Sequence, residues 1–230
     1  MRTRINYEEI AKNIKCNMVG FIPARGGSKG LPNKNILNIA GYPLIAHSIL
    51  SLKVAGIEKV YVSTDSKKIA NISASYGAEI IDRPAKYSRD ESPTEDVIKH
   101  FLNIVDCDAV AFRQCTSPML EAGYIKKAID EFKVEKYDSL FTVTGSKDML
   151  FWGKNGKPVN YNPSHRERRQ TMRSAFLIET GGLYIFRKEA FQRYKNRICG
   201  KLKLFNVPYT QSFEIDDEKD FNMIKRLIER

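Results

Sequence analysis

The chain has 230 residues, of which 42% are hydrophobic and 28% charged. That length can bury a real core in one large domain, the balance is that of a soluble globular protein, and no run approaches the roughly 18 apolar residues of a membrane span. The formal net charge of +11 attracts polyanions, which leaves three readings to separate: a generally basic surface, a nucleic-acid-binding module, and a pocket for small, highly charged anions.

Residues 1–17 (MRTRINYEEIAKNIKCN) are polar and charged and lack the apolar core of a secretory signal, so the chain is expected in the cytoplasm. Residues 18–23 (MVGFIP) read as a buried strand. A helix over 43–53 carries Pro43 in its first turn, with Ile45, Ile49 and Leu52 on one face. Strand 59–63 follows, then a helix over 66–76 that ends at Gly77, a natural residue for the position after a helix. Residues 79–81 form a short third strand. A helix over 94–105 places Val97, Phe101 and Val105 on one stripe, with Ser92 or Thr94 as its cap. Strand 108–114, a helix around 125–132 and strand 139–143 continue the rhythm. Residues 146–175 break it, with Trp152, two prolines and two asparagines flanking Tyr161, and read as an insertion. Strands at 182–186 and 202–207 and a helix over 218–230, with Phe221, Ile224 and Ile228 inward, complete the chain. Strands alternating with helices predict one α/β domain over 1–230 with a mostly parallel sheet, and ligands outside the carboxyl ends of its strands.

Cys16, Cys107, Cys115 and Cys199 have no zinc or redox spacing and suit unpaired thiols in a reducing compartment. His47, His100 and His165 are too far apart in sequence to form a ligand motif.

The first strand runs into Pro23-Ala24-Arg25-Gly26-Gly27-Ser28-Lys29-Gly30-Leu31-Pro32-Asn33-Lys34-Asn35. Its glycines allow a tight turn that aims N–H groups at an anion, and Arg25, Lys29 and Lys34 supply charge. Arg grips two phosphate oxygens at once, whereas Lys acts as a point charge. Neither the Walker loop nor the dinucleotide fingerprint is present. An ordinary glycine-rich turn with solvated lysines is the plainer alternative, and the position after the first strand favours the anion site.

This loop resembles the signature of the CMP–sugar synthetases, the sialic acid and Kdo cytidylyltransferases. Further likenesses follow in order. Val62-Ser63-Thr64-Asp65 resembles the family's second strand end, and Asp82-Arg83-Pro84 with Asp90 resembles its stretch around the nucleotide. Gln114-Cys115-Thr116-Ser117-Pro118 resembles QPTSP, with Cys115 in place of Pro. Arg168-Arg169-Gln170 and then Glu179-Thr180-Gly181-Gly182-Leu183-Tyr184 resemble RRQ and ENGxxY of the sialic acid branch, with Thr180 for Asn. Ser212-Phe213-Glu214-Ile215-Asp216 resembles SxDID, with Glu214 for the first Asp.

The resemblance implies a Rossmann-like nucleotide-binding fold, a homodimer formed through 146–175, and transfer of CMP from CTP to the anomeric hydroxyl of an acidic nine-carbon sugar. Kdo, deaminated neuraminic, legionaminic and pseudaminic acids remain alternative sugars, and the RRQ and ETGGLY motifs favour nine carbons over Kdo. Arg25 and Lys29 are the candidate catalytic groups. Ala24, Arg25, Gly26, Gly27, Ser28, Lys29 and Lys34 are expected at the nucleotide's phosphates, and Arg83, Asp90, Ser92 and Thr94 at its base and ribose. Gln114, Arg169, Gln170 and Tyr184 are expected at the sugar. If helical, Arg166, Arg169, Gln170 and Arg173 form one basic stripe suited to a carboxylate; a solvated basic face is the alternative.

Glu214 and Asp216 alternate along an extended segment, so both carboxylates point the same way. Such a pair favours a hard divalent cation, Mg²⁺ or in its place Mn²⁺. The alternative is an acidic cap for the last helix, a role assigned more naturally to Asp217. No nucleic acid or membrane partner is expected, because the basic residues that matter lie in a strand-end loop and not on a surface interleaved with aromatics.

Overall fold

β1 (Met18–Pro23) is apolar along its length because both of its faces are covered. Met18 and Ile22 face one core, while Val19 and Phe21 face the other. In the computed structural model, which describes residues 16–28, 30–134, 136–145, 150–168 and 176–229, β4 (Val60–Thr64) and β6 (Ala109–Phe112) flank β1 in parallel. β5 (Glu79–Asp82) extends the parallel run beyond β4. On the other side β8 (Leu177–Arg187) runs antiparallel to both β6 and β7 (Ser139–Gly145). β9 (Leu202–Asn206) lies parallel to β7 at the edge. Among the described residues the sheet has seven strands in the order β5-β4-β1-β6-β8-β7-β9, so the mostly parallel α/β sheet is present and β8 is its reversed strand.

Helices cover both faces. α1 (Leu44–Val54), α2 (Lys67–Ser75) and α4 (Ala122–Val134) send Ile45, Ile49, Leu52, Ile69, Ile125 and Phe132 into one core. α3 (Thr94–Leu102) and α5 (Lys188–Tyr194) send Val97, Phe101 and Phe191 into the other, where Phe101 stacks on Phe21 at 4.1 Å. Each such side chain, fully buried, contributes roughly 1.5–3 kcal/mol of transfer free energy. α6 (Glu218–Ile228) packs Ile224 and the preceding Ile215 against Ile39 and Leu44, which folds the acidic segment back over the first loop. Asp217 caps α6 as expected: its side chain accepts from the N–H groups of Lys219 and Asp220, and Asp220 returns a bond to the Asp217 N–H. Among the described residues no helix is long and apolar enough to cross a membrane.

Several local expectations need correction. Neither Ser92 nor Thr94 caps α3: Pro93 holds the entry position, the Ser92 hydroxyl donates to the Lys86 carbonyl, and Thr94 is already helical. The fixed φ of proline sets the turn into the helix without a side-chain cap. Pro43 stands just before α1 and not in its first turn; it ends β3 (Tyr42–Pro43), which pairs antiparallel with β2 (Asn38–Ile39) in a two-residue ladder. α3 stops at Leu102, although Val105 beyond it is still buried. β8 begins at Leu177, well before the expected 182, because Gly181 at φ 65 and a register shift between Phe141 and Val143 break the apolar alternation.

Between β7 and β8, residues 150–168 form an irregular excursion. Trp152 bridges to Pro158, its ring meets Tyr161 edge-on, and it remains 55% exposed. Arg166 is extended, so the helical stripe expected from it does not start there. The expectations for Lys29, Arg169, Gln170 and Arg173, and those for 146–149 and 169–175 of the insertion, lie outside the described residues.

Candidate active site

β1, β4, β5 and β6 are parallel, so the loops that follow them emerge at one edge of the sheet. A cavity of about 420 Å³ opens there. Its walls come from the β1 loop (Arg25, Ser28, Gly30, Lys34), the β5 loop (Arg83, Tyr87, Arg89, Asp90), the β6 turn (Gln114, Cys115, Thr116) and Asp216. The structure thus brings together most of the expected nucleotide residues, with Gln114 and one of the two expected metal ligands. Ser92 and Thr94 line the cavity as well.

The β1 loop differs in one respect from the expected nest of inward N–H groups. The Ala24 N–H donates to the Ser63 carbonyl at 2.9 Å, and the Gly26 N–H donates to Asp65 Oδ1 at 2.8 Å. Ala24, Gly26 and Gly27 are not among the residues lining the cavity. The backbone here is occupied in holding the loop to β4, so the charge facing the cavity comes from side chains. Arg25 Nη1 lies 2.5 Å from Asp90 Oδ1, and both side chains are about one-third exposed. Lys34 Nζ donates to the Ile215 carbonyl at 2.9 Å and sits 3.6 Å from Asp216 Oδ1. Gly30 approaches the same segment so closely that an added Cβ would stand 2.6 Å from the Asp216 carbonyl oxygen.

Arg83 is buried, and its guanidinium donates to the Ser63 hydroxyl and carbonyl at 3.1 and 2.5 Å. Burial lowers it to about 10, with the Asp65 carboxylate opposing that shift, so it remains a cation at neutral pH. On the β6 turn, the Thr116 hydroxyl donates to Gln114 Oε1 at 3.2 Å and steadies the amide. Cys115 is fully buried and its thiol is pushed up to about 12, so it stays protonated and fills space where the motif has proline. Behind the turn lies a residue to which the sequence reading gives no role. Arg113 is wholly buried and braces the turn by donating to the carbonyls of Ser117 and Leu120 at 2.9 and 3.0 Å. Asn35, Tyr87 and Arg89 are likewise site residues to which sequence reasoning assigns no part, and Asp65 enters it only as a strand end.

Glu214 and Asp216 do not play equal parts. The Asp216 side chain is 79% exposed and lies on the cavity wall. Glu214 lies behind it, accepting from the Ser117 hydroxyl at 3.0 Å and pressed against Gly181. Burial raises its pKa, the Ser117 bond opposes this, and the charge of Asp216 adds to the rise. Tyr184, expected at the sugar, is instead a core residue. It packs between Phe112 and Phe141, its hydroxyl donates to Glu179, and the Arg197 guanidinium lies 4.6 Å over its ring. Strand alternation explains this: Tyr184 sits opposite Phe112 and Phe141 in the ladder and shares their face of the sheet.

Comparison with known proteins adds to this geometry. The family model for Cytidylyltransferase matches residues 19–227. N-acylneuraminate cytidylyltransferase A of Danio rerio is 32% identical over 219 residues, covering 91% of this chain and 50% of that protein. The chain spans about half the length of the N-acylneuraminate cytidylyltransferases it matches. Post-translational flagellin modification protein B of Campylobacter coli is 29% identical, covering 90% of this chain and 93% of that one. Among solved structures, a CMP:2-keto-3-deoxy-manno-octonic acid synthetase complexed with CTP superimposes with a TM-score of 0.71 over 93% of this chain and 98% of its own, at 18% identity, a likeness of fold.

Proposed function

The chain belongs to the cytidylyltransferase family, and from that premise we propose that it transfers CMP from CTP to the anomeric hydroxyl of a nine-carbon 2-keto-3-deoxy acid of the sialic type. The bond that forms joins the sugar oxygen to the α-phosphorus; the bond that breaks releases pyrophosphate. The observation that carries this reading is the strand-end cavity in which Arg25, Lys34, Arg83 and Arg89 converge with Gln114 and Asp216. Such a cluster of cationic side chains around one opening suits a nucleotide whose triphosphate carries about four negative charges, and catalysis of this kind is positioning plus electrostatic stabilisation.

In this reading Arg25 and Lys34 hold phosphate oxygens and balance the charge that moves onto pyrophosphate, with Lys29 of the same loop as a third cation. Arg83 and Asp90 border the nucleoside, and Gln114 orients the sugar acid, with Arg169 and Gln170 as further sugar contacts. Asp216 and Glu214 fit a hard divalent cation. Both offer oxygen only, Asp216 faces the cavity, and Glu214 feels its charge. Among the described residues no group of three or more His, Cys, Asp or Glu comes together, so phosphate and water would complete the coordination. When bound, Mg²⁺, or Mn²⁺ in its place, neutralises charge on the triphosphate.

Pyrophosphate release with CTP, Mg²⁺ and N-acetylneuraminate is the expected result, with UTP, ATP and dTTP inferior. No release with any nine-carbon acid, together with turnover of a neutral sugar phosphate by one of those three nucleotides, overturns the reading. The same proposal makes the protein a cytoplasmic homodimer. The dimer, though not the compartment, is supported by the exposed apolar surface of Phe151, Trp152, Val159, Phe176 and Leu177 around the 150–168 excursion, since such surface on a monomer marks an interaction site. Light scattering is expected to give the mass of two chains; a fully active monomer at micromolar concentration contradicts this.

A further inference from the structure

Asp65 immediately follows β4, whose register places Ser63 beside Pro23 of β1, so the loops after these two strands leave the sheet side by side. One backbone group in each of three consecutive residues of the β1 loop is held in place. The Ala24 N–H is held by the Ser63 carbonyl, the Arg25 carbonyl by the side-chain amide of buried Asn35 at 3.1 Å, and the Gly26 N–H by Asp65 Oδ1 at 2.8 Å. The last is the charge-assisted bond of the three, and such bonds are roughly twice as strong as neutral ones. The two loops also touch: a Cβ at Gly26 would stand 3.0 Å from Ser66 Cβ and 3.6 Å from Asp65 Oδ1.

Asp65 does not line the main cavity. It lines an adjoining one of about 680 Å³, whose wall includes Arg83 and Arg89, both shared with the first. It is not the cap of α2 either, because Ser66 holds that position and accepts from the Ile69 N–H. Its carboxylate is also the foremost charge opposing the effect of burial on Arg83. One side chain outside the cavity therefore fixes the Gly26 side of the peptide that follows Arg25, while Asn35 fixes its carbonyl side.

We propose that Asp65 is the positioning residue of the phosphate loop: by holding the Gly26 N–H it sets the direction in which the Arg25 guanidinium enters the cavity. The role in nucleotide binding rests on the function proposed above; the anchoring itself does not.

Asp65→Asn and Asp65→Ala, each alone and with Arg25→Ala, separate these points. Hydrogen exchange of the Gly26 amide is read on the ligand-free protein, CTP affinity by calorimetry and folding by melting temperature. Gly26 exchange is expected to quicken in the order wild type, Asn, Ala, by about tenfold or more for Ala, because asparagine keeps an acceptor but loses the charge. CTP affinity is expected to fall in the same order, by about tenfold or more for Ala, the scale of one lost charge-assisted bond. Because Asp65 acts through Arg25, the Asp65→Ala/Arg25→Ala protein is expected to bind CTP about as weakly as Arg25→Ala alone. Wild-type Gly26 exchange in both single variants overturns the proposal, as does a loss of affinity that adds fully to that of Arg25→Ala. If Asp65→Ala does not fold, Asp65→Asn carries the test, and its matching wild type in exchange and affinity overturns the proposal. Wild-type protein that binds no CTP refutes the nucleotide reading, while the Gly26 exchange series still decides the anchoring.

Discussion

Arg25→Ala is expected to cut turnover at least about a hundredfold, the scale of losing one group that stabilises transition-state charge, while leaving the fold almost unchanged. The ion pair it forms with Asp90 has both side chains about one-third exposed, and exposed pairs of this kind are worth roughly 0.2–1 kcal/mol. Removing Arg25 therefore costs little stability, and any large effect must come from the ligand. Lys29→Ala is expected to fall in the same direction. The check is pyrophosphate release per folded molecule beside a melting curve on the same preparation. Full turnover by Arg25→Ala makes the pair with Asp90 an ordinary surface contact.

Asp216→Asn is expected to fold normally, lose most activity, and recover part of it at high Mg²⁺ or with Mn²⁺. Asp216 is mostly exposed and lies 3.6 Å from Lys34, so the fold does not depend on its charge. The competing role, a cap for α6, belongs to Asp217. Asp217→Ala is therefore the contrasting control: a lost cap costs about 1 kcal/mol, or about 2–4 °C in a chain of this size, with a normal rate per folded molecule and no rescue by metal. Glu214→Gln is expected to resemble Asp216→Asn, because glutamine keeps an acceptor for Ser117 while removing the charge. A Mg²⁺ titration of the rate decides the matter. Normal rates at low Mg²⁺ in both Asp216→Asn and Glu214→Gln sink the metal assignment.

The parallel half of the sheet was legible because each of its strands is a short apolar run closed by a polar or glycine signal, as in MVGFIP followed by Ala24-Arg25-Gly26. The position of the cavity followed from that alternation. What escaped were features that depend on contacts distant in sequence. Gly26 looks like one member of an anion nest, and only the neighbouring β4 loop reveals that its N–H is already bound to Asp65. Glu214 and Asp216 alternate correctly, but the longer arm of Glu214 turns to Ser117. Tyr184 belongs to a motif resembling a ligand-binding one, yet the ladder places it between Phe112 and Phe141. Arg113 carries a charge at the end of an apolar strand, and nothing local announces that it will be wholly buried.

Transfer of CMP to an acidic nine-carbon sugar would be read by following the α-phosphate of CTP. CTP labelled at that position is incubated with N-acetylneuraminate, Mg²⁺ and the protein, and the products are separated with and without a phosphomonoesterase. The label is expected to move into a sugar–CMP phosphodiester that resists the phosphatase, with pyrophosphate released in equal amount. Label that remains in CTP, or appears only as free CMP, with every nine-carbon acid tried would contradict it.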